Sequence, residues 1–329
     1  MLGADTKEIS TMEWKTRVTE LLGIKYPIIQ GALALFGNAD LAVAVSEAGA
    51  LGMITANALR TPERLRKEIR RAKSMTDKPF AVNLSPAMDP GLNLMRDIAI
   101  EEKVPVIETA GYRSTEHGMR VKEAGLIWIH KVTTLRHAIA AERDGADAVC
   151  LVGLEGAGFK NPAILTTFVS IPMAVRHVKI PVIAAGGIGD ARGFLAALAL
   201  GAEAVLLGTA FMAVKECPIS ERRKQALLEA NPYDPKWRDV ILNAPTVEDI
   251  GRVKEAMGSG ATLQAIGEAE KFGALDPARH FPYPASLAVG FIDRIVTAGE
   301  LINSIIREAE EVLTSGGLGG WKLAPNQST

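Results

Sequence analysis

Eight times along this chain a short apolar run gives way to a polar turn and a segment with helical spacing. That repetition limits the fold more than any other feature. The runs are Tyr26–Gly31, Gly52–Thr55, Lys78–Leu84, Val104–Thr109, Ile127–Lys131, Ala148–Val152, Ile180–Gly187 and Ala204–Gly208, four of them entered through proline at Pro27, Pro79, Pro105 and Pro181. Their centres are continuously apolar rather than alternating. A strand reads that way when both of its faces are buried, as in a parallel sheet.

The intervening segments carry helix signals. Thr61-Pro62-Glu63 opens a helix to Met75 with a capping threonine and proline at the first helical position, and Thr133 to Arg143 and Asp190 to Leu200 follow the same pattern. Several end in a glycine directly before the next strand, as in Asp144-Gly145-Ala146-Asp147-Ala148-Val149 and its near copy Leu200-Gly201-Ala202-Glu203-Ala204-Val205. There glycine supplies a left-handed helix stop. Strand starts recur roughly every 20–35 residues, one βα unit each. Eight units predict an α/β protein of the (β/α)8 TIM-barrel class. A doubly wound open sheet is the alternative, disfavoured by the count of eight and by the lack of an early G-x-G-x-x-G. Residues 1–218 are expected to form the barrel, 219–285 a helical lid or excursion (with helices over Glu248–Met257 and Thr262–Lys271), and 286–329 the closing outer helix, from Leu301 to Leu313, and tail.

The remaining composition excludes several function classes. Lys+Arg 37 against Asp+Glu 38 leaves a net charge of −1, with no basic surplus for a nucleic-acid partner. Two cysteines, Cys150 and Cys217, are too few for a disulfide framework or a multi-cysteine metal site, so no metal is expected. The first sixteen residues contain Asp5, Glu8 and Glu13 and lack the apolar core of a signal peptide, and no 18-residue apolar run is present to span a membrane. The expectation is a soluble cytoplasmic protein acting on a small molecule, with a homodimer in keeping with large barrels.

In a barrel of this kind ligands bind at the C-terminal strand ends. Two clusters there have the ingredients of a phosphate cradle: Gly186-Gly187-Ile188-Gly189-Asp190 after strand seven and Gly208-Thr209 after strand eight. Glycines let backbone N–H groups approach an anion, and a following helix favours its charge; two tight turns needing glycine for backbone reasons alone would read the same. Asn83 is a polar group at the end of an apolar strand. Lys131 is a cation at a strand end, and burying an unpaired ammonium costs several kcal/mol, so it faces an anionic ligand or pairs with a neighbour such as Glu108; the former is the expectation. His130, one residue earlier, should point the other way, between barrel and helices. His137 and His177 fall on helical stretches, and His117 and His280 are read as loop residues. Gly153-Leu154-Glu155-Gly156-Ala157-Gly158-Phe159 follows strand six, and its glycines allow close approach to an extended ligand.

These stretches together resemble the nitronate monooxygenase family of FMN-containing barrels, related to NADH:quinone reductases and FMN-dependent enoyl-ACP reductases. The resemblance lies in Pro27-Ile28-Ile29-Gln30-Gly31, Pro79 to Leu84, Glu108-Thr109-Ala110-Gly111, Ile129-His130-Lys131-Val132-Thr133, Arg136-His137-Ala138, Ala185-Gly186-Gly187-Ile188 and Leu207-Gly208-Thr209-Ala210-Phe211. It implies that Gly186, Gly187, Gly208 and Thr209 hold the FMN phosphate, that Gln30, Gly31, Asn83 and Lys131 lie along the isoalloxazine and ribityl chain, and that Gly158 belongs to the same site. It gives Lys131 the role of a positive charge beside the ring. NADH or NADPH enters as a donor for the reductase relatives.

The sequence departs from the family pattern at three places. Phe159 stands where relatives usually carry a histidine taken as base or proton donor, Ala32 follows Gln30-Gly31 where many have a second glycine, and Leu287-Ala288-Val289-Gly290 lacks a glutamine common before the glycine. Phenylalanine cannot transfer a proton, which leaves Lys131 and Glu155 as the candidate catalytic side chains. Losing positioned acid–base help costs typically 10²–10⁴-fold. Oxidation of an already anionic nitronate, or hydride transfer from NAD(P)H, needs no such base. The expected activity is therefore nitronate oxidation with O2 by way of FMN. The alternatives are NAD(P)H-dependent reduction of a quinone or enoyl thioester, and a flavin-binding protein without turnover.

Overall fold

The computed structural model describes residues 12–33, 36–86, 92–111, 113–158, 160–242 and 285–315. Eight parallel strands form one sheet: β1 (Ile28–Gln30), β2 (Gly52–Thr55), β3 (Phe80–Leu84), β4 (Val106–Ala110), β5 (Ile127–Val132), β6 (Ala148–Val152), β7 (Val182–Ala185) and β8 (Ala204–Leu207). Every strand from β2 to β7 pairs with its successor, and β8 pairs with β1. An isolated parallel bridge between Ile29 and Leu51 joins β1 to β2 and closes the barrel. All eight runs read from the sequence are strands, the four that begin at or before a proline being trimmed to start after it.

Helices cover the outside, the main ones being α2 (Ala39–Glu47), α4 (Pro62–Met75), α5 (Asn93–Glu101), α6 (Thr115–Glu123), α7 (Leu135–Arg143), α8 (Thr167–His177) and α9 (Ala191–Ala199). Their starts follow elementary capping chemistry: Asn38, Thr61, Thr134 and Asp190 each accept a backbone N–H with the side chain. The C-terminal helix Ala298–Thr314 begins in a Thr297/Glu300 capping box and packs against α9 and α2, filling the last place in the ring. Helix α1 (Arg17–Leu22) lies under the barrel. Thr16 Oγ1 donates to Glu203 O just ahead of β8, and Val18 and Leu22 enter the inner core.

Strand alternation splits the core in two. Ile28, Val82, Ile107, Trp128, Val149, Val182 and Val205 face the helices. Ile29, Met53, Ala81, Val106, Ile129, Cys150, Ile183 and Leu206 fill the barrel. The same period of two aims Asn83, Glu108 and Lys131 inward and His130 outward.

His117 is corrected: it is a buried residue of α6, not of a loop. A Cβ on Gly118, inside this helix, would meet the Trp128 ring at 2.3 Å, so the glycine makes room for a core indole without interrupting the helix. Phe159, His280 and the helices expected over Glu248–Met257 and Thr262–Lys271 fall outside the described residues. So do residues 243–284 of the expected lid; its first part holds helices at Glu221–Leu228 and Pro235–Leu242. Among the described residues, no helix is long and apolar enough to cross a membrane, and no group of three or more His, Cys, Asp or Glu side chains is placed to hold a metal.

Candidate active site

The C-terminal strand ends divide into a side-chain half and a backbone half. The first spans β3 to β5. Asn83 and Glu108 are register partners, both fully buried, and Asn83 Nδ2 donates to Glu108 Oε2 at 3.1 Å. Ser85 Oγ in turn donates to Asn83 Oδ1 at 3.2 Å, fixing which way the amide faces. Lys131 Nζ lies 3.2 Å from Glu108 Oε1. That oxygen is buried and accepts no aligned hydrogen bond among the described residues. Lys131 is thus paired, the other branch of the sequence reading, while its side chain remains 21% exposed to the opening.

Burial alone would push the Lys131 ammonium toward deprotonation, but the Glu108 carboxylate outweighs it and the pKa rises above the ordinary 10.5. Cys150, beside Lys131 on β6, has its thiol pushed well up by burial and then by Glu108, so it stays protonated and inert. His130 sits behind the sheet, where its Nδ1 is 2.8 Å from Thr109 Oγ1 and Trp128 Nε1 donates to the same hydroxyl at 2.8 Å. Burial lowers its pKa to about 4. It is a neutral structural imidazole, turned away from the mouth as alternation requires.

The second half spans β6, β7 and β8 and is made of backbone. Gly186 and Gly187 hold φ of 101° and 73°, the left-handed region that glycine adopts without strain. A Cβ on Gly186 would lie 2.9 Å from Gly156 N, and one on Gly187 would lie 3.0 Å from Glu155 Cβ. The β7 turn therefore packs this closely on the β6 turn only because Gly186 and Gly187 lack side chains. Gly208 has open space where its Cβ would be, with Leu33 the nearest neighbour at 3.8 Å, whereas Gly31 is pressed against Leu206 and Gly208. Gly158 holds φ of 88° with nothing nearby.

The remaining predicted side chains are engaged in holding this half together. Gln30 accepts from Met53 N at 2.9 Å and donates to Met53 O at 3.0 Å and Gly31 O at 2.9 Å, standing in for ladder bonds at the short β1–β2 junction. Glu155 Oε2 accepts from Thr167 N at 2.8 Å and Thr167 Oγ1 at 3.0 Å, capping α8. Thr209 Oγ1 donates to Ser286 Oγ at 2.9 Å and accepts from Ser286 N at 2.8 Å. Leu287 N donates to Glu155 O at 3.0 Å. Residues 286–291 thereby return to the mouth, and the divergent Leu287–Gly290 stretch lies at the rim, with Ala288 O and Phe291 packed over Gly189.

Three participants escaped the sequence reading. Thr167 and Ser286 are remote in sequence from the groups they bind, and Ser286 gave no local signal. Lys160 had one, a lysine closing a glycine-rich loop. It is 4% exposed, and its ammonium donates to Leu154 O at 2.8 Å and to Gly156 O. Burial, opposed by the Glu155 carboxylate, lowers its pKa to about 8.

The architecture is a (β/α)8 barrel with a polar, glycine-lined mouth at the strand C-termini, the usual place for an enzyme active site. Residues 15–237 match the nitronate monooxygenase family. The chain belongs to that family of oxidoreductases. It is 37% identical over 266 residues to (3aS,4S,5R,7aS)-5-hydroxy-7a-methyl-1-oxo-octahydro-1H-indene-4-carboxyl-CoA dehydrogenase of Mycobacterium tuberculosis, covering 78% of this chain and 74% of that protein. A probable nitronate monooxygenase of Staphylococcus saprophyticus is 32% identical over 278 residues, covering 71% of this chain and 78% of its own length. In structure the chain resembles FabK from Thermotoga maritima, with a TM-score of 0.77 and 34% identity over 92% of this chain and 98% of that one.

Proposed function

We propose that this mouth binds FMN and that the protein oxidises anionic alkyl nitronates with O2 by way of the flavin. The fit to FMN rests on the cradle. Gly186 and Gly187 turn with left-handed φ at the end of β7, and Gly208 has open space where its Cβ would be, so that backbone N–H groups at these two strand ends suit a phosphate. Gly186, Gly187, Gly208 and Thr209 would hold that phosphate. Gly31, Asn83, Lys131, the backbone at Gln30 and the Gly158 turn would line the rest. When bound, FMN supplies electron transfer between substrate and oxygen.

The carrying observation is that the described side chains of the mouth include no uncommitted base. Glu108 is held by Lys131 and Asn83, Glu155 by Thr167, and Lys160 is enclosed in its own loop. His130 faces outward, and position 159 is phenylalanine. A substrate whose oxidation begins with loss of a carbon-bound proton finds no acceptor for it here. A substrate that arrives already ionised needs none, and the Lys131 ammonium draws an anion toward the opening. Oxygen consumption with an alkyl nitronate and with its neutral nitroalkane parent tests this. The nitronate is expected to turn over about 10²–10⁴-fold faster at equal concentration. Equal rates would contradict the proposal.

A second reading is favoured by the 37% identity to a dehydrogenase whose name specifies a carboxyl-CoA compound. Here the protein would use NADH or NADPH to reduce an enoyl thioester or a quinone; hydride transfer from the nicotinamide to the flavin needs no base on the enzyme, and the proton that completes reduction of the acceptor would come from water. Anaerobic bleaching of bound flavin by a nicotinamide, with no response to nitronate, would select this reading.

A further inference from the structure

Glu108 is the residue that the proposed chemistry leaves without a task. It is a fully buried carboxylate inside a barrel, beside an active-site opening, with one oxygen that accepts no aligned hydrogen bond. Such a group is costly to retain unless its charge is used. Its contacts are few. Asn83 donates to one oxygen at 3.1 Å and the Lys131 ammonium stands 3.2 Å from the other. The titratable groups facing Lys131 are equally few among the described residues: Glu108 from β4 and the Cys150 thiol from β6. The thiol stays protonated and carries no charge. His130 on the same strand turns to the opposite face.

We propose that Glu108 is a positioning residue, acting through Lys131: it holds that ammonium charged and fixed at the mouth, and thereby sets how readily the bound flavin ring accepts negative charge. The inference rests on the FMN reading above. Without Glu108 only burial would act on Lys131, and burial favours the neutral amine. The pair also explains Asn83 and Ser85, whose chain of hydrogen bonds orients the carboxylate from its other side.

Sulfite is a suitable probe, because it adds to oxidised flavin without any other reactant and leaves negative charge on the pyrimidine half of the ring. Its dissociation constant from the FMN-loaded protein is read from flavin bleaching, for wild type and Glu108→Gln, between about pH 6 and about pH 9. The ratio of variant to wild-type dissociation constant is expected to rise about tenfold or more across this range, as Lys131 of the variant loses its proton. Glu108→Asp, which keeps the carboxylate, is expected to return the ratio most of the way to a flat line. A flat ratio for Glu108→Gln overturns the inference. Should that variant fail to fold, wild type alone decides: corrected for the ionisation of sulfite itself, its affinity stays level to about pH 9, and a fall within that range overturns the inference. FMN binding with a flat ratio refutes only the role of Glu108. Failure of wild type to bind FMN at all refutes the FMN reading, and this inference with it.

Discussion

The two halves of the barrel mouth solve the same problem, a polar surface at the edge of an apolar core, by opposite means. From β6 to β8 the polar groups are backbone groups of the turns at Gly153, Gly156, Gly186 and Gly187, where a Cβ would meet a neighbouring atom at 3.0 Å or less. From β3 to β5 they are side chains, Asn83, Glu108 and Lys131, buried as a connected set. A backbone cradle has no protonation state and costs nothing in desolvated charge, but it tolerates no Cβ. A buried ion pair tolerates changes of shape, but its two charges stand or fall together. The first half suits a permanent anion such as a phosphate. The second suits a ring whose charge changes during turnover.

The sharpest way to break the contrast is to remove one charge. Lys131→Met leaves Glu108 buried with Asn83 as its main partner, and is expected to destabilise the fold by about 3–5 kcal/mol in urea unfolding. The companion Glu108→Gln/Lys131→Met, lacking both charges, should recover much of that loss. Recovery of none of it would mean that the pair is not the stability element described.

On the backbone side, Gly186→Ala places a Cβ 2.9 Å from Gly156 N at a φ of 101°. The strain is about 1–3 kcal/mol, and FMN affinity measured by fluorescence quenching should fall by about 10–100-fold. Gly125→Ala is the control, also at positive φ but with nothing within 4 Å: comparable strain, with FMN binding unchanged. A loss of FMN in both would assign the effect to the backbone conformation and not to the cradle.

The outward face gives a third effect. His130 has its pKa lowered from 6.5 to about 4, so the unfolded chain binds its proton first as pH falls. Stability should decline from about pH 6.5 down to about pH 4, by at most about 1.4 kcal/mol per pH unit, and level off below that. His130→Asn should flatten this part of the profile in pH-dependent thermal melts, and an unchanged slope would exclude His130 as its source.

Smallest is Glu155→Ala. The Glu155 carboxylate caps α8 through Thr167, so stability should drop by about 1 kcal/mol. The nitronate rate should change little, because a committed cap is not a catalytic base. A loss near the 10²–10⁴-fold typical of an acid–base residue would return Glu155 to that role.

The barrel was legible because its signals are local: apolar runs, helix caps and glycine stops repeat within each unit, and all eight runs became strands. The direction of Lys131 and His130 was legible too, since alternation along a strand is a matter of counting. What the sequence concealed depends on distance in the chain. The clamp between Thr209 and Ser286 joins residues 77 apart, and no local pattern announces it. The room that Gly118 makes for the Trp128 ring was hidden for the same reason, since that ring arrives from β5. Glu155 looked like a candidate base until Thr167, twelve residues on, proved to hold its carboxylate. Lys131 pairs with Glu108, one of the two roles weighed for it, and its side chain stays 21% exposed.

The visible absorption spectrum of the protein as purified tests the central claim, that the glycine cradle and the Lys131–Glu108 pair form one flavin site. The account predicts flavin peaks, or their appearance on adding FMN, at one flavin per chain, and their loss in Gly186→Ala. A colourless protein that takes up no FMN would contradict it and leave the cradle to another anion.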